Sequence, residues 1–546
     1  MTRSLAVLLT ALLLSCAPAA PPPRVEPPPP QLAASAVAKR VVLLSFDGLG
    51  ADALARQQNL PSFERLAREG ASARIIPVSP TQTMPAHVSV LTGADPQRHG
   101  IVANRLHLAG TPPEQVARGM NIDPDVESII EAARRQGKRV GTVSFPTIDN
   151  SSPRRSADFG FAWSYPLVPA RIVQLRRDDF KREWVPPTWS EPPPRRRSYS
   201  PIMRARVEWS VPRVTRADVD VVAYDTTDDS RENYDTYFIE HSERELDARE
   251  WFPVSRQTST GLHGSWSKVI STTPSLNVTI YWGAINRNMA WPASYRNLLD
   301  QEVGFWPGAP EEELDVEPEL FREQMVRLAG YYESAQVLTI QRMQFDLLLA
   351  YQPQIDLASH SYLGTPGGET VIREAFAVSD RNLGEIAEAM DPDDALIVIG
   401  DHGLVPVERE VLINRLVAER GFAPRWRAFT SGSLAHLYRF EEPDDSDALV
   451  EMLNATGFFE RIEKKVHPRS GDVVAYAFPN IALTAGEKEE HPRGQHGALN
   501  IHRELHPVLF AYGRGVTPGP LGEIAQTRIA RYVAELLGIE APAAAE

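Results

Sequence analysis

The chain has 546 residues, 42% of them apolar and 8% aromatic, enough to bury a large core and too long for one minimal domain. A formal net charge of −14 argues against a general binder of nucleic acid or of an anionic membrane. It does not exclude an anionic substrate, because a local metal cluster reverses the sign of the field where the substrate sits.

At the N-terminus, Arg3 precedes an apolar run at residues 5 to 14. The run is far short of the roughly 20 residues that cross a bilayer as a helix, so residues 1–15 read as a signal peptide. It closes on Leu13-Leu14-Ser15-Cys16, which resembles the lipobox of bacterial lipoproteins. The resemblance implies an exported chain acylated at Cys16, with membrane attachment by that lipid alone. Ala17 in the next position implies the outer membrane, facing the periplasm. An unlipidated signal peptide with an incidental cysteine is the alternative. Cys16 is the only cysteine, so no disulfide forms within the mature chain and its stability must come from packing and metal binding. Residues 16–36, rich in proline and alanine, read as the anchor and a stiff polyproline II tether.

The folded part opens with an apolar run at residues 40 to 46 that suits a strand buried on both faces of a parallel sheet. A helix follows, with Phe63, Leu66 and Ala67 on one side and Gly70 as its stop. Val126, Ile129, Ile130 and Ala133 mark a second helix, closed by Gly137 and followed by a strand at residues 140 to 145. The alternation returns with a strand at 345 to 351, a helix at 369 to 390, a buried strand at 395 to 400 and a last helix near 529 to 537. The predicted fold class is α/β, with a largely parallel central sheet and helices on both faces. Residues 168–312 differ, being dense in Arg, Pro, Trp and Tyr with short strand-like segments at 219 to 224 and 277 to 281. They read as a mostly β inserted cap region that shapes the pocket, between core parts at 37–167 and 313–546.

In open α/β sheets the ligand site lies beyond the C-terminal ends of the strands. Asp47-Gly48 follows the first strand, Asp356 and His360 follow the strand ending near residue 351, and Asp401-His402-Gly403 follows the strand ending at 400. Gly494-Gln495-His496-Gly497 comes late. Each alone is weak, since Asp after a strand commonly caps a helix and a lone His is more often structural. Together they give three Asp and three His at one sheet edge, a ligand inventory for two zinc sites.

A fifth element is Thr83-Met84-Pro85-Ala86-His87, followed by His99-Gly100-Ile101 and Asn104. With these in order the chain resembles the alkaline phosphatase superfamily, and specifically its nucleotide pyrophosphatase/phosphodiesterase-like branch, over about residues 38 to 165 and 320 to 540. The resemblance implies an alkaline phosphatase-like fold and a hydrolase of phosphodiester or pyrophosphate bonds carrying two Zn²⁺. It implies Asp356, His360 and His496 as the ligands of one zinc, and Asp47, Asp401 and His402, with Thr83 beside them, as those of the other. Thr83 becomes the nucleophile that forms a covalent phosphoryl-threonine, and Asn104 the amide that contacts a phosphoryl oxygen. His87, His99 and His436 are left to packing or support. A threonine hydroxyl is a poor nucleophile at neutral pH and needs such a metal to favour its deprotonated form. Mn²⁺ or Fe also suits mixed N/O ligands.

The chain departs from the branch in three places. Ala86 stands where many members have Asn. Residues 144 to 152 lack the Lys and Arg pair that related monoesterases use to hold a dianionic phosphate, which favours a diester or pyrophosphate. The Trp-containing segment of nucleotide-selective members is also missing after Asn104. The expected partner is a small phosphate ester, with no nucleic-acid binding beyond nucleotide substrates. The rivals are a phosphomonoesterase of the same superfamily and, from another class, a non-catalytic surface lipoprotein.

Overall fold

The computed structural model describes residues 32–163, 165–182, 197–240, 251–310 and 318–545. Residues 1–15, expected as a signal peptide, Cys16 and all but the last few residues of the expected tether lie outside them. Nine strands form the central sheet: β1 (Val41–Phe46), β2 (Ala71–Ile76), β3 (Val140–Val143), β4 (Phe159–Phe161), β5 (Ala290–Trp291), β6 (Leu347–Gln352), β7 (Ala395–Gly400), β8 (Val508–Gly513) and β9 (Gly519–Ala525). Their order is β5-β4-β3-β6-β1-β7-β8-β2-β9. The five strands from β4 to β7 run parallel, whereas β5 and β8 pair antiparallel with their neighbours.

The uninterrupted apolar runs follow from burial on both faces. Successive side chains of a strand point to opposite sides, so Val42, Leu44, Leu348 and Val398 enter one core while Val41, Leu43, Leu349 and Ile397 enter the other. Helices α1 (Pro61–Glu69), α4 (Pro318–Arg342) and α6 (Gly368–Glu388) cover the first face, and α2 (Thr83–Thr92), α3 (Ile129–Arg135) and α7 (Arg528–Leu537) the second. The predicted α/β class therefore holds. Helix α5 (Gln354–Tyr362) was not anticipated as a helix, and it is the element that carries Asp356 and His360. No helix among the described residues is long and apolar enough to cross a membrane.

The β-rich region is a pair of antiparallel sheets, one built on Met203–Val211 and Thr215–Tyr224, the other on Gly261–Thr273 and Asn277–Trp282. Residues of both sheets, Trp209, Val221, Val254 and Ile280 among them, share one apolar core. The region returns to the central sheet through β5, which pairs with β4 at the sheet's edge. A second small unit went unread in the sequence. Trp426–Ser431, Leu434–Arg439, Val473–Ala477 and Phe459–Lys464 form a four-stranded antiparallel sheet with a core of its own.

Candidate active site

Three adjacent parallel strands place the three carboxylates. In register, Phe46 of β1 faces Gln352 of β6 and Gly400 of β7. Asp47 and Asp401 therefore leave the sheet at the same level, and Asp356 follows within the first turn of α5. A turn at Gly48 makes the approach possible. Its φ is +73°, and a Cβ there would lie 2.7 Å from Leu404 Cδ1 and 3.0 Å from Asp356 Cα, so only glycine fits. Asp356 N in turn donates to Asp47 O at 3.1 Å. His360 lies four residues after Asp356 on the same helical face, with Nε2 3.4 Å from Asp356 Oδ1.

The residues taken as two ligand sets converge. His402 Nε2 lies 3.1 Å from Asp401 Oδ2 and 3.4 Å from Asp47 Oδ1, and 3.3 Å from Thr83 Oγ1. On the other side, His496 Nε2 is 3.9 Å from Asp356 Oδ1, and its ring stacks on that of His402 with centroids 3.8 Å apart. Asp47, Asp401 and His402 present ligand atoms within 4.8 Å of one another, as do Asp356, His402 and His496. His402 thus stands between the two groups. His360 joins the second through Asp356 and through His496, whose ring centroid is 5.1 Å away.

Backbone carbonyls fix the imidazoles. His360 Nδ1 meets Gly494 O at 2.9 Å and His496 Nδ1 meets Thr81 O at 3.0 Å. A carbonyl only accepts, so each Nδ1 carries the proton and each Nε2 keeps its lone pair toward the carboxylates. Burial, then Asp356, pushes the Asp47 carboxyl well above the usual range, and burial with Asp47 does the same to Asp401. Burial and the neighbouring imidazoles hold His402 well below its ordinary value and His496 down at about 3. Asp47 Oδ1 and Asp401 Oδ2 are buried and accept no hydrogen bond among the described residues. Such a cluster resists both ionised carboxylates and protonated imidazoles, and a divalent cation removes the conflict. The donor set of carboxylate oxygens and neutral imidazole nitrogens fits zinc or a similar ion.

Thr83 is the first residue of α2, whose N-terminal end favours negative charge. Asn104 is tied beside it, its Oδ1 accepting from Met84 N at 2.8 Å and its backbone N donating to Gln82 Oε1 at 2.8 Å. His87 lies fully buried beneath, its Nδ1 2.7 Å from Thr83 O and its Nε2 2.9 Å from Ser45 Oγ. His99 meets Ser89 Oγ at 2.9 Å and His436 Nδ1 accepts from Gly471 N at 3.0 Å.

Two contributors escaped the sequence reading. Gln82 braces Asn104 and donates through Nε2 to Ser431 O at 2.5 Å, and its place next to Thr83 was the available signal. Tyr351, at the end of β6, donates its hydroxyl to Asp47 Oδ2. Tyr351→Phe is expected to weaken metal binding by about ten- to a hundredfold, because hydrogen bonds that orient ligands commonly carry that much. Competition with a chromophoric chelator reads the change, and unaltered affinity would remove Tyr351 from the ligand-orienting network.

A cleft of about 570 Å³ opens on the site, with Asn104, His360 and His496 in its wall. The described residues that line it all fall outside 168–312. The small C-terminal unit contributes Thr430, Ser431 and Gly432 to the wall. Gly432 comes so close to the chain beyond His496 that a Cβ would lie 2.1 Å from His496 O.

The family model described as "Type I phosphodiesterase / nucleotide pyrophosphatase" matches residues 41–499. Among curated relatives, bis(5'-adenosyl)-triphosphatase enpp4 of Xenopus laevis is 30% identical over 173 residues, 30% of this chain and 37% of that protein. The Mus musculus enpp4 is 39% identical over 71 residues, 13% of this chain and 15% of the relative. The alignments thus span little more than a third of those relatives at most. Among solved structures, murine ectonucleotide pyrophosphatase/phosphodiesterase 5 superposes with a TM-score of 0.52 at 15% identity, covering 92% of this chain and 96% of that one. An inactive form of it in complex with AMP superposes with a TM-score of 0.53 over the same shares.

Proposed function

Because the chain belongs to the type I phosphodiesterase/nucleotide pyrophosphatase family, we propose that it hydrolyses phosphodiester or pyrophosphate bonds with two zinc ions and Thr83 as nucleophile. The observation that carries this reading is the meeting of Thr83 Oγ1 with His402 Nε2 at 3.3 Å, beside the carboxylates of Asp47 and Asp401. Zinc held by Asp47, Asp401 and His402 on one side and by Asp356, His360 and His496 on the other would supply positive charge for the phosphoryl oxygens and acidify a nearby hydroxyl.

The chain's own residues do the rest. The first turn of α2 aims the Thr83 hydroxyl at the cluster and stabilises negative charge there. With its oxygen engaged by Met84 N, Asn104 has its amide N–H groups left for a phosphoryl oxygen. Thr83 attacks phosphorus, the leaving oxygen departs, and water then cleaves the phosphoryl-threonine ester.

A diester is favoured over a monoester because residues 144 to 152 bring no cation to the site. Arg154 and Arg155, which follow, are engaged elsewhere, Arg154 with Pro124 O at 2.6 Å and Arg155 with Asp149 at 3.3 Å. With zinc-loaded protein, kcat/KM for bis-para-nitrophenyl phosphate is expected to exceed that for para-nitrophenyl phosphate. A large preference for the monoester would instead establish a phosphomonoesterase. Export and lipid attachment at Cys16 are proposed from residues 1–16 alone, and incorporation of labelled palmitate tests them.

A further inference from the structure

The cleft that opens on His360, His496 and Asn104 receives whatever group is esterified to the reacting phosphorus. Among the described residues its wall also carries Arg105, Arg493 and one carboxylate, Glu490. Both arginines are exposed, and neither guanidinium makes an ion pair or a side-chain hydrogen bond among the described residues. His491, also in the wall, is drawn to Glu410 and Glu489 at 3.7 and 3.5 Å. In a chain with a net charge of −14, these two guanidiniums offer cationic groups to an anion entering the cleft.

The backbone fixes both arginines to the site. Arg105 directly follows Asn104, and its strand pairs with Arg118. Arg493 N donates to His360 O at 2.8 Å. Among the described residues of the wall, Phe321 and Tyr362 stand edge to face, 5.0 Å apart at 67°, and this pair presents no parallel faces between which a base could be sandwiched.

Resting on the phosphodiesterase reading, the geometry points to a substrate whose ester group bears a second anion, a phosphate or a carboxylate, received by Arg105 and Arg493. Guanidinium forks match either group.

Three diesters test this with the zinc-loaded protein, products being counted by chromatography: butyl para-nitrophenyl phosphate, and the matched compounds whose butyl chain ends in a carboxylate or in a phosphate. At least one charged diester is expected to exceed the uncharged one in kcat/KM by about tenfold, chiefly through KM, as charge-assisted hydrogen bonds at an exposed site allow. Arg105→Gln and Arg493→Gln should each bring that ratio back toward one, and the better compound identifies the anion. A ratio near one in the unaltered protein, or one that neither substitution changes, overturns the subsite. If no diester is turned over, the phosphodiesterase reading fails separately. The same three compounds, tested as inhibitors of para-nitrophenyl phosphate hydrolysis, then give the charged-to-uncharged ratio by their inhibition constants.

Discussion

Thr83→Ala is expected to lower kcat by on the order of a thousandfold or more, about 4 kcal/mol of transition-state stabilisation, while zinc content stays close to that of the unaltered protein. The proposed nucleophile contributes one hydroxyl, and its loss removes the atom that attacks phosphorus. The carboxylates and imidazoles that surround the metal positions come from other elements: Asp47 after β1, Asp401 and His402 after β7, Asp356 and His360 on α5. Each of those anchors survives the substitution, since the Gly48 turn, the β1 register with β6 and β7, and the carbonyl bonds of His360 and His496 do not involve the Thr83 side chain. Thr83→Ser keeps a hydroxyl at the start of α2 and should retain part of the activity. Metal analysis with single-turnover kinetics on bis-para-nitrophenyl phosphate checks both variants. Substantial turnover by Thr83→Ala with zinc in place would mean that water attacks directly.

Much of the site was legible because its residues sit where strand geometry forces them. A strand buried on both faces is an apolar run, and the first polar residue after it emerges at the sheet's C-terminal edge. Asp47 and Asp401 could be placed on that basis without coordinates. His496 could not: it lies in irregular chain, and only its spacing from the other motifs and the family resemblance marked it. The link between the two ligand groups was also invisible. Stacking of His402 on His496 arises from how the segment after β7 meets the segment after Gly494, a tertiary fact with no local signature. The four-stranded unit at Trp426–Ala477 was missed because its strands are short and alternate with a helix, a texture that merged with the surrounding α/β pattern. Part of the aromatic density of residues 168–312 belongs to a core of its own, built on Trp209 and Trp282. Tyr351 hid inside an apolar strand, where a tyrosine reads as one more packed ring until its hydroxyl is seen on Asp47.

Removal of the metal is expected to abolish turnover and to destabilise the fold at the same time, because the same buried groups serve both. Asp47 and Asp401 are 2% and 0% exposed, and His402 is 0% exposed. Burying three acidic or basic groups without a counter-ion costs several kcal/mol in general, a cost that ligation of a cation offsets. Dialysis against a chelator should therefore lower the unfolding temperature as well as the activity, and adding back about two zinc ions per chain should restore both. With free zinc a thousandfold above its dissociation constant, binding contributes about 4 kcal/mol, enough for a shift of several degrees in a chain of this size. Differential scanning calorimetry of the chelated and reloaded protein at matched pH measures the shift, and parallel loading with Mn²⁺ and Fe²⁺ ranks the ions. The two readouts discriminate between models. A protein whose melting temperature rises with zinc but whose diesterase activity never appears has kept the cage and lost the chemistry, as a surface lipoprotein using the fold for binding would. A protein indifferent to zinc in both respects would show that the carboxylates and imidazoles share protons rather than a cation, and the metal reading of Asp47, Asp356, His360, Asp401, His402 and His496 would fall with it.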